Sequence, residues 1–261
     1  MGDLRIEVAD HIATVTIDRP PVNATTRATL DEIARTFSTI ADDRDVRVVI
    51  FTGAGDRAFI AGADTKAHAA DRALLDSGPP SDFLDPGGVA RRAMDALYHC
   101  PVPVVGAING PAIGAGFVFA SLCDIVVAAH GATFHLNEIN VGLLGASAHA
   151  VRMLGPHIAR KMLFTGIPIP VEELEPLRVV DRVVPREELL DAACEIASVL
   201  AAKSPIALRL AKLSMNQSEG MPFAAGYRVE QFYTDKLLRF EDAGEARAAF
   251  NEQRAPDWKW R

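Results

Sequence analysis

The chain has 261 residues, of which 49% are hydrophobic and 23% are charged, the balance of a folded protein with a sizeable buried core. Its net charge of −7 excludes the broad basic surface that nucleic-acid-binding proteins carry. The three cysteines are too few and too scattered for a disulfide framework or a zinc cluster, which suits a reducing compartment.

No segment is predicted to be a signal peptide or a membrane span. The N-terminal residues lack a basic region followed by an apolar stretch. Residues 101–123 carry no charge over 23 positions, long enough to cross a bilayer. They also contain three prolines and four glycines, which favour a buried strand, a turn and a buried helix instead. We therefore expect a cytoplasmic protein that binds neither membranes nor nucleic acids.

Hydrophobic periodicity predicts strands that alternate with helices, followed by helices alone. Strands are expected at 4–8, 12–17, 46–52, 102–108 and 124–129, and helices at 25–41, 89–99 and 113–122. The first two strands read as a hairpin, and the polar stretch 64–88 reads as a loop. Four further helices are expected at 189–203, 205–217, 222–240 and 242–254. The pattern predicts an α/β core over residues 1–195 and a helical region over residues 196–261.

Two glycine-containing stretches can present backbone N–H groups to a ligand. Residues 61–64 follow an apolar pair, and residues 109–116 form a strand-to-helix turn with three glycines. The N–H groups at a helix start carry partial positive charge. Two of them aimed at one carbonyl oxygen would form an oxyanion hole. Spacing alone slightly favours a purely structural role for these glycines, because small residues also permit close helix packing.

Together these stretches resemble the enoyl-CoA hydratase/isomerase family, the crotonase superfamily, over nearly the whole chain. The resemblance depends on the order and spacing of motifs at residues 51–53, 58–64, 105–110, 122–124 and 137–142. It implies a spiral of strand–strand–helix turns that forms two roughly perpendicular sheets. It also implies C-terminal helices that build a homotrimer, or a hexamer of two trimers. The implied substrate is an acyl-CoA thioester, which brings its own coenzyme A, so no separate cofactor is expected.

The resemblance assigns roles to particular residues. By position, the backbone N–H groups of Ala63 and Ala115 match the oxyanion donors, although glycine is usual at the second place. Glu138 matches an acid/base glutamate of the family. The second glutamate of the hydratases aligns with Val118, which can neither hold nor deprotonate water. This favours an isomerase that moves a double bond from the 3- to the 2-position, because that reaction needs only one base.

Other residues around these motifs are candidates for contact with the substrate. Basic residues at 57 and 66 match positions that contact the CoA nucleotide in the family, and a leucine pair at 143–144 lies where the acyl group is expected. The substrate-binding candidates are Arg57, Ala61, Asp64, Lys66, Gly114, Val118, Leu143 and His149.

Three alternatives remain open from the sequence. A hydratase could use a substitute for the missing glutamate, such as Asp71, Asp82 or His149. His149 could instead assist an acyl-CoA hydrolase, or the chain could be a non-catalytic acyl-CoA-binding homologue. No metal is expected, because the spacing of the histidines before Glu138 matches no zinc motif.

Overall fold

The chain folds as two β-sheets, with helices packed against both faces of the larger one. The computed structural model describes residues 2–67 and 87–261. Its strands are β1 (Leu4–Ala9), β2 (Ile12–Ile17), β3 (Val48–Gly53), β4 (Val104–Ile108), β5 (Ala112–Ile113), β6 (Ile125–Ala129), β7 (Thr133–His135), β8 (Ile169–Pro170) and β9 (Arg182–Val184). Its α-helices are α1 (Arg27–Asp42), α2 (Gly88–His99), α3 (Ala115–Leu122), α4 (Ser147–Thr165), α5 (Val171–Leu174), α6 (Leu189–Ala201), α7 (Pro205–Ser218), α8 (Phe223–Leu237) and α9 (Glu241–Glu252). Two 3₁₀ helices cover Glu138–Val141 and Arg186–Glu188.

The larger sheet has six strands in the order β1-β2-β3-β4-β6-β9, and the smaller has three in the order β5-β7-β8. Strands β2, β3, β4, β6 and β9 run parallel. Every residue of β3 and β4 is buried, as expected for parallel strands covered on both faces. The chain repeats a strand–strand–helix unit as β1-β2-α1, β4-β5-α3 and β6-β7-α4. This repetition confirms the predicted α/β architecture.

The predicted hairpin forms between β1 and β2. These strands are antiparallel, in a register that pairs Leu4 with Ile17 and Ala9 with Ile12. The two residues between them, Asp10 and His11, have φ of 49° and 66°. Positive φ at both central residues matches the twist of the flanking strands, so a two-residue turn joins them without splaying the pair.

The predicted helix at 25–41 begins slightly later, because a capping box fixes its start. Thr26 accepts a hydrogen bond from the Thr29 N–H, and the Thr29 hydroxyl accepts one from the Thr26 N–H. The helix buries Leu30, Ile33 and Phe37, which recur at helical spacing. The remaining predicted helices and strands are also present, with ends that differ by a few residues.

Residues 130–188 contain structure that periodicity did not assign. The 19-residue helix α4 is interrupted at Gly155, whose φ of 69° and ψ of 169° are non-helical, and Pro156 follows. This kink divides the apolar pattern into two short runs. Strands β7, β8 and β9 have only two or three residues each, too short for a visible alternation. The predicted loop at 64–88 lies mostly outside the described residues.

The first of the C-terminal helices pack against the core, whereas helix α8 does not. Helix α6, which contains residue 195, packs Leu189, Ala193 and Ala197 on the face of the sheet opposite α1. Helix α7 is anchored by Lys212, whose Nζ donates to Asp124 at 2.7 Å and to the Val102 carbonyl. Helix α8 has no buried residue. Within residues 2–67 and 87–261, no helix is long and apolar enough to cross a membrane.

Candidate active site

The two predicted oxyanion segments lie side by side because backbone contacts join them. Ile60 forms an isolated parallel bridge with Ala112, and the Ile113 N–H donates to the Ile60 carbonyl at 2.9 Å. A Cβ on Gly116 would lie 2.0 Å from that carbonyl oxygen. Only glycine therefore allows α3 to approach this closely.

The backbone around Ala63 directs the Ala63 N–H away from the neighbouring segment at Thr25. The Thr25 N–H donates to the Gly62 carbonyl at 2.8 Å, and the Asp64 N–H donates to the Thr25 carbonyl at 2.9 Å. In such a parallel bridge the N–H of the central residue points to the opposite side. Among the described residues, no backbone carbonyl accepts a hydrogen bond from Ala63 N–H, so this donor is available to a ligand.

The N–H of Ala115 also lacks a backbone partner in the part of the chain that the structure describes, for a different reason. Ala115 is the first residue of α3, and the first N–H groups of a helix have no partner within it. Gly114 takes the left-handed φ of 54° at the turn, whereas Ala115 itself has no positive φ. An alanine Cβ at 115 is therefore compatible with the backbone.

Glu138 lies directly against the start of α3. Its Oε1 is 2.9 Å from the point where a Cβ on Gly114 would be. Its Oε2 is buried and has no hydrogen-bond partner among the described residues. Glu138 reaches this place because β7 pairs with β5, and the Gly114 N–H donates to the His135 carbonyl at 2.9 Å. A carboxylate oxygen without a partner at a helix N-terminus is a candidate for proton transfer to a ligand.

Val118 adds only an apolar side chain to α3. It is 4% exposed, and its N–H donates to the Gly114 carbonyl. The resemblance aligns this position with the second glutamate of the hydratases. This position therefore supplies no hydrogen bond to a water molecule.

Asp64 holds the first oxyanion segment in place. Its Oδ1 accepts the N–H groups of Lys66 and Ala67, and its Oδ2 accepts from Arg19 at 2.9 Å. These hydrogen bonds, from Ala67 first and then from Arg19, keep the pKa of Asp64 below its ordinary value. Both oxygens accept hydrogen bonds from the protein, so Asp64 supports this segment; its contact with a substrate stays a prediction.

The other predicted binding residues differ in how far they are exposed to solvent. Ala61 is half-buried, and its N–H donates to the Val22 carbonyl. Arg57 and Lys66 are exposed and can reach an anionic group in solvent. Leu143 is 62% exposed, and its N–H donates to the backbone carbonyl of Glu138.

His149 lies in the first turn of α4 and is half-buried. Burial, and then the positive charge of Arg152, lower the pKa of His149, so its ring is neutral at neutral pH. Ser147 lies two residues earlier on the same helix, and residues at that spacing do not face each other. The pair therefore does not form a nucleophile and base.

The histidines near Glu138 do not converge on a metal position. His130 lies 3.5 Å from Glu172, whereas His135 Nε2 lies 2.8 Å from the Gly166 carbonyl oxygen. Within the described ranges, no group of three metal-ligating side chains occurs. Sequence reasoning missed the His135 contact, because it joins residues 31 positions apart. Asp71 and Asp82, offered as substitutes for the missing glutamate, lie outside the described residues.

A cavity of about 810 Å³ lies away from this site, between α3, α4 and α7. Asp124, Arg152 and Lys212 are among its lining residues, and none of the predicted site residues lines it. We take the candidate active site to be the region around Glu138, because the free N–H groups and the unpaired carboxylate oxygen are there.

The fold and the site together define an α/β protein in which backbone N–H groups and one carboxylate face a candidate ligand site. The model of the enoyl-CoA hydratase/isomerase family matches residues 7–261. The chain belongs to the enoyl-CoA hydratase/isomerase family, whose members act on acyl-CoA thioesters.

Proteins from several bacteria are similar over nearly their whole length. Carnitinyl-CoA dehydratases from Citrobacter koseri and Salmonella typhi are each 36% identical, over 96% of this chain and 95% of theirs. The structure of an enoyl-CoA hydratase from Bacillus anthracis matches with a TM-score of 0.90 and 30% identity, covering 99% of this chain and 100% of that one. An enoyl-CoA hydratase/carnithine racemase from Magnetospirillum magneticum matches with a TM-score of 0.86 and 30% identity, covering 100% and 97%. These matches confirm the crotonase-type fold.

We predict that Gly116→Ala separates the two oxyanion segments. The added methyl would overlap the Ile60 carbonyl, and a displacement near 1 Å can cost about 100-fold in rate. We expect kcat/KM to fall about 100-fold and the free energy of unfolding to fall by about 1–3 kcal/mol. The measurements are steady-state kinetics and urea denaturation.

Gly244→Ala is the matched control for this variant. Gly244 lies inside α9, and nothing is within 4 Å of its added Cβ. It should leave kcat/KM unchanged and add up to about 1 kcal/mol of stability. Unchanged kinetics in Gly116→Ala would contradict the requirement for close approach.

Proposed function

We propose that the protein transfers a proton at the carbon beside the thioester carbonyl of an enoyl-CoA, with Glu138 as the acid/base. The observation that carries this proposal is the buried Oε2 of Glu138, which has no hydrogen-bond partner among the described residues. It lies beside the N-terminus of α3, where the N–H of Ala115 has no partner within the helix. The reaction is redox-neutral and therefore needs no cofactor besides the coenzyme A of the substrate.

The first step forms an enolate. Glu138 takes a proton from C2, the electrons of that C–H bond form a C1–C2 double bond, and the carbonyl oxygen becomes negative. The N–H groups of Ala63 and Ala115 donate to this oxygen, and one such donor is typically worth about 3–4 kcal/mol in the transition state. Return of the proton from Glu138 to C4 then gives the 2-enoyl thioester.

The apolar position 118 favours isomerisation over hydration. Adding water across the 2,3 double bond requires a group that orients and deprotonates the water as well as one that protonates C2. Val118 is buried and cannot do either. Glu138 alone is sufficient when the same proton is removed and returned.

Hydration and its reverse are the second candidate. This candidate is favoured by the curated relatives, which are named carnitinyl-CoA dehydratases, and by solved structures named enoyl-CoA hydratases. It would require a substitute polar group for the missing glutamate. His149 is one candidate for that group, since its ring is half-buried and neutral.

The remaining substrate contacts follow from charge and exposure. We propose that Arg57 and Lys66 bind the phosphates of coenzyme A, because both are exposed cations near the first oxyanion segment. Leu143 and Leu144, 62% and 83% exposed, would cover the acyl chain, and burying them against it would be favourable.

We predict that Glu138→Gln lowers kcat at least about 100-fold, the scale of general acid–base catalysis. The amide keeps the shape of the side chain but cannot accept the proton. The measurement is the gain of 2-enoyl absorbance from a 3-enoyl-CoA, together with exchange of deuterium from the solvent into C2. Binding of the thioester should be retained.

Glu187→Gln, an exposed substitution in the second 3₁₀ helix, is the control and should behave as the wild type. Activity in Glu138→Gln near that of the control would remove Glu138 from the mechanism. A wild-type protein that binds acyl-CoA but exchanges no proton would instead indicate a non-catalytic binding protein.

We predict that Val118→Glu introduces hydration of crotonyl-CoA, by at least about 10-fold over the wild type, since each acid/base group contributes 10-fold or more. The buried charge should destabilise the fold by several kcal/mol unless water reaches it. Val118→Gln, of the same shape but without a carboxylate, is the control and should not gain hydration. A wild-type protein that hydrates crotonyl-CoA at about 10 per second or more would contradict the isomerase preference.

We also propose that the protein assembles as a homotrimer or as a hexamer of two trimers. Helix α8 buries none of its residues, although several of them are large and apolar. Phe223 is 87% exposed and Phe232 is 61% exposed. Apolar surface of this kind marks an interface between protein chains. We expect light scattering at micromolar concentration to give three or six times the 28.0 kDa of one chain; a particle of 28.0 kDa would contradict assembly.

A further inference from the structure

His135 contacts two different parts of the site from the end of strand β7. Its backbone carbonyl accepts the Gly114 N–H at 2.9 Å, which fixes the turn before α3. Its ring Nε2 lies 2.8 Å from the carbonyl oxygen of Gly166. One residue therefore links the oxyanion helix to the far end of α4.

The ring contact has a defined donor and acceptor. Gly166 is the C-terminal cap of α4, with φ of 61°, and carbonyls at a helix C-terminus lack partners within the helix. A carbonyl only accepts, so His135 Nε2 carries the hydrogen. The neutral Nε2–H tautomer and the charged ring both meet this requirement.

The turn that carries Glu138 is held against Gly166 from both sides. His135 precedes Glu138 by three residues, and Asn140 follows it by two. A Cβ on Gly166 would lie 2.6 Å from Asn140 Nδ2, so the Asn140 side chain packs on the Gly166 backbone. Glu138 therefore lies in sequence between two residues that contact the same glycine, whereas its own Oε2 has no hydrogen-bond partner among the described residues.

We propose that His135 is a positioning residue, whose ring holds the Glu138 turn at the end of α4 so that the carboxylate stays against Gly114. This inference depends on the proposed role of Glu138 in proton transfer. Because Oε2 of Glu138 has no hydrogen-bond partner among the described residues, its position depends on the backbone that carries it. A displacement near 1 Å of a reacting group can cost about 100-fold in rate.

The experiment compares two amides at position 135 that differ by one methylene. In His135→Gln the amide nitrogen can reach the Gly166 carbonyl, as Nε2 does, whereas in His135→Asn it is too short. We expect kcat within about 3-fold of wild type for Gln and lowered at least about 10-fold for Asn. His135→Leu, which has no donor, should behave as Asn does. The KM for the thioester should change less than about 3-fold in all three variants, because the position of Glu138 affects proton transfer, a step after binding.

Two measurements separate this role from a general effect on folding. His157→Leu, an exposed histidine of α4, is the control and should leave kcat and KM unchanged. Thermal unfolding of each variant is recorded beside the kinetics. Equal kcat in the Gln and Asn variants, or a loss confined to KM, would overturn the proposal. A variant at 135 that does not fold would assign the contact to stability and would overturn it as well.

Glu138→Gln is measured in the same assay, so that the two proposals fail separately. Full activity in Glu138→Gln would reject the proposed function. Loss of activity in Glu138→Gln with equal kcat in the two amide variants would reject the role of His135 alone.

Discussion

The site depends on the contact between the backbone of Ile60 and the glycine at 116. Both proposed oxyanion donors are backbone N–H groups, so no side chain can reach across to correct a gap between the two segments. A side chain at 116 would meet the Ile60 carbonyl at 2.0 Å, and the hydrogen bond from Ile113 to that carbonyl is 2.9 Å. The distance between the two donors is therefore set by the parallel pairing around Ile60 and Ala112, and by the sheet that supports it.

This arrangement also suits the movement of charge in the proposed reaction. The N-terminus of α3 favours negative charge near Gly114, and both the Glu138 carboxylate and the developing oxyanion would lie there. A carboxylate and an enolate side by side would repel each other. Transfer of the proton to Glu138 as the oxygen becomes negative keeps one negative charge in the site throughout. The helix end therefore stabilises the site before and after the step without reorganisation.

Local sequence patterns predicted much of the fold, but they did not predict contacts between residues that are distant in sequence. The hairpin at Asp10 and the helix after Thr26 were predicted from hydrophobic spacing within short segments, and the structure adds the turn geometry and the capping box that fix their ends. Helix α4 was missed because Gly155 and Pro156 divide its pattern. The resemblance selected Glu138, but nothing near it in sequence indicates that His135 meets Gly166, 31 residues later.

The packing of α3 also bears on the proposed dependence of the reaction on the side chain at position 118. Phe119 packs edge-on against Phe51, and Phe117 against Phe134, so aromatic contacts fix the rotation of this short helix. Gly114 and Gly116 fix its start. The backbone at position 118 is then held in place whatever residue occupies it. In the proposed mechanism the backbone supplies oxyanion stabilisation to any thioester, and the side chain at 118 determines whether water can be held beside the double bond.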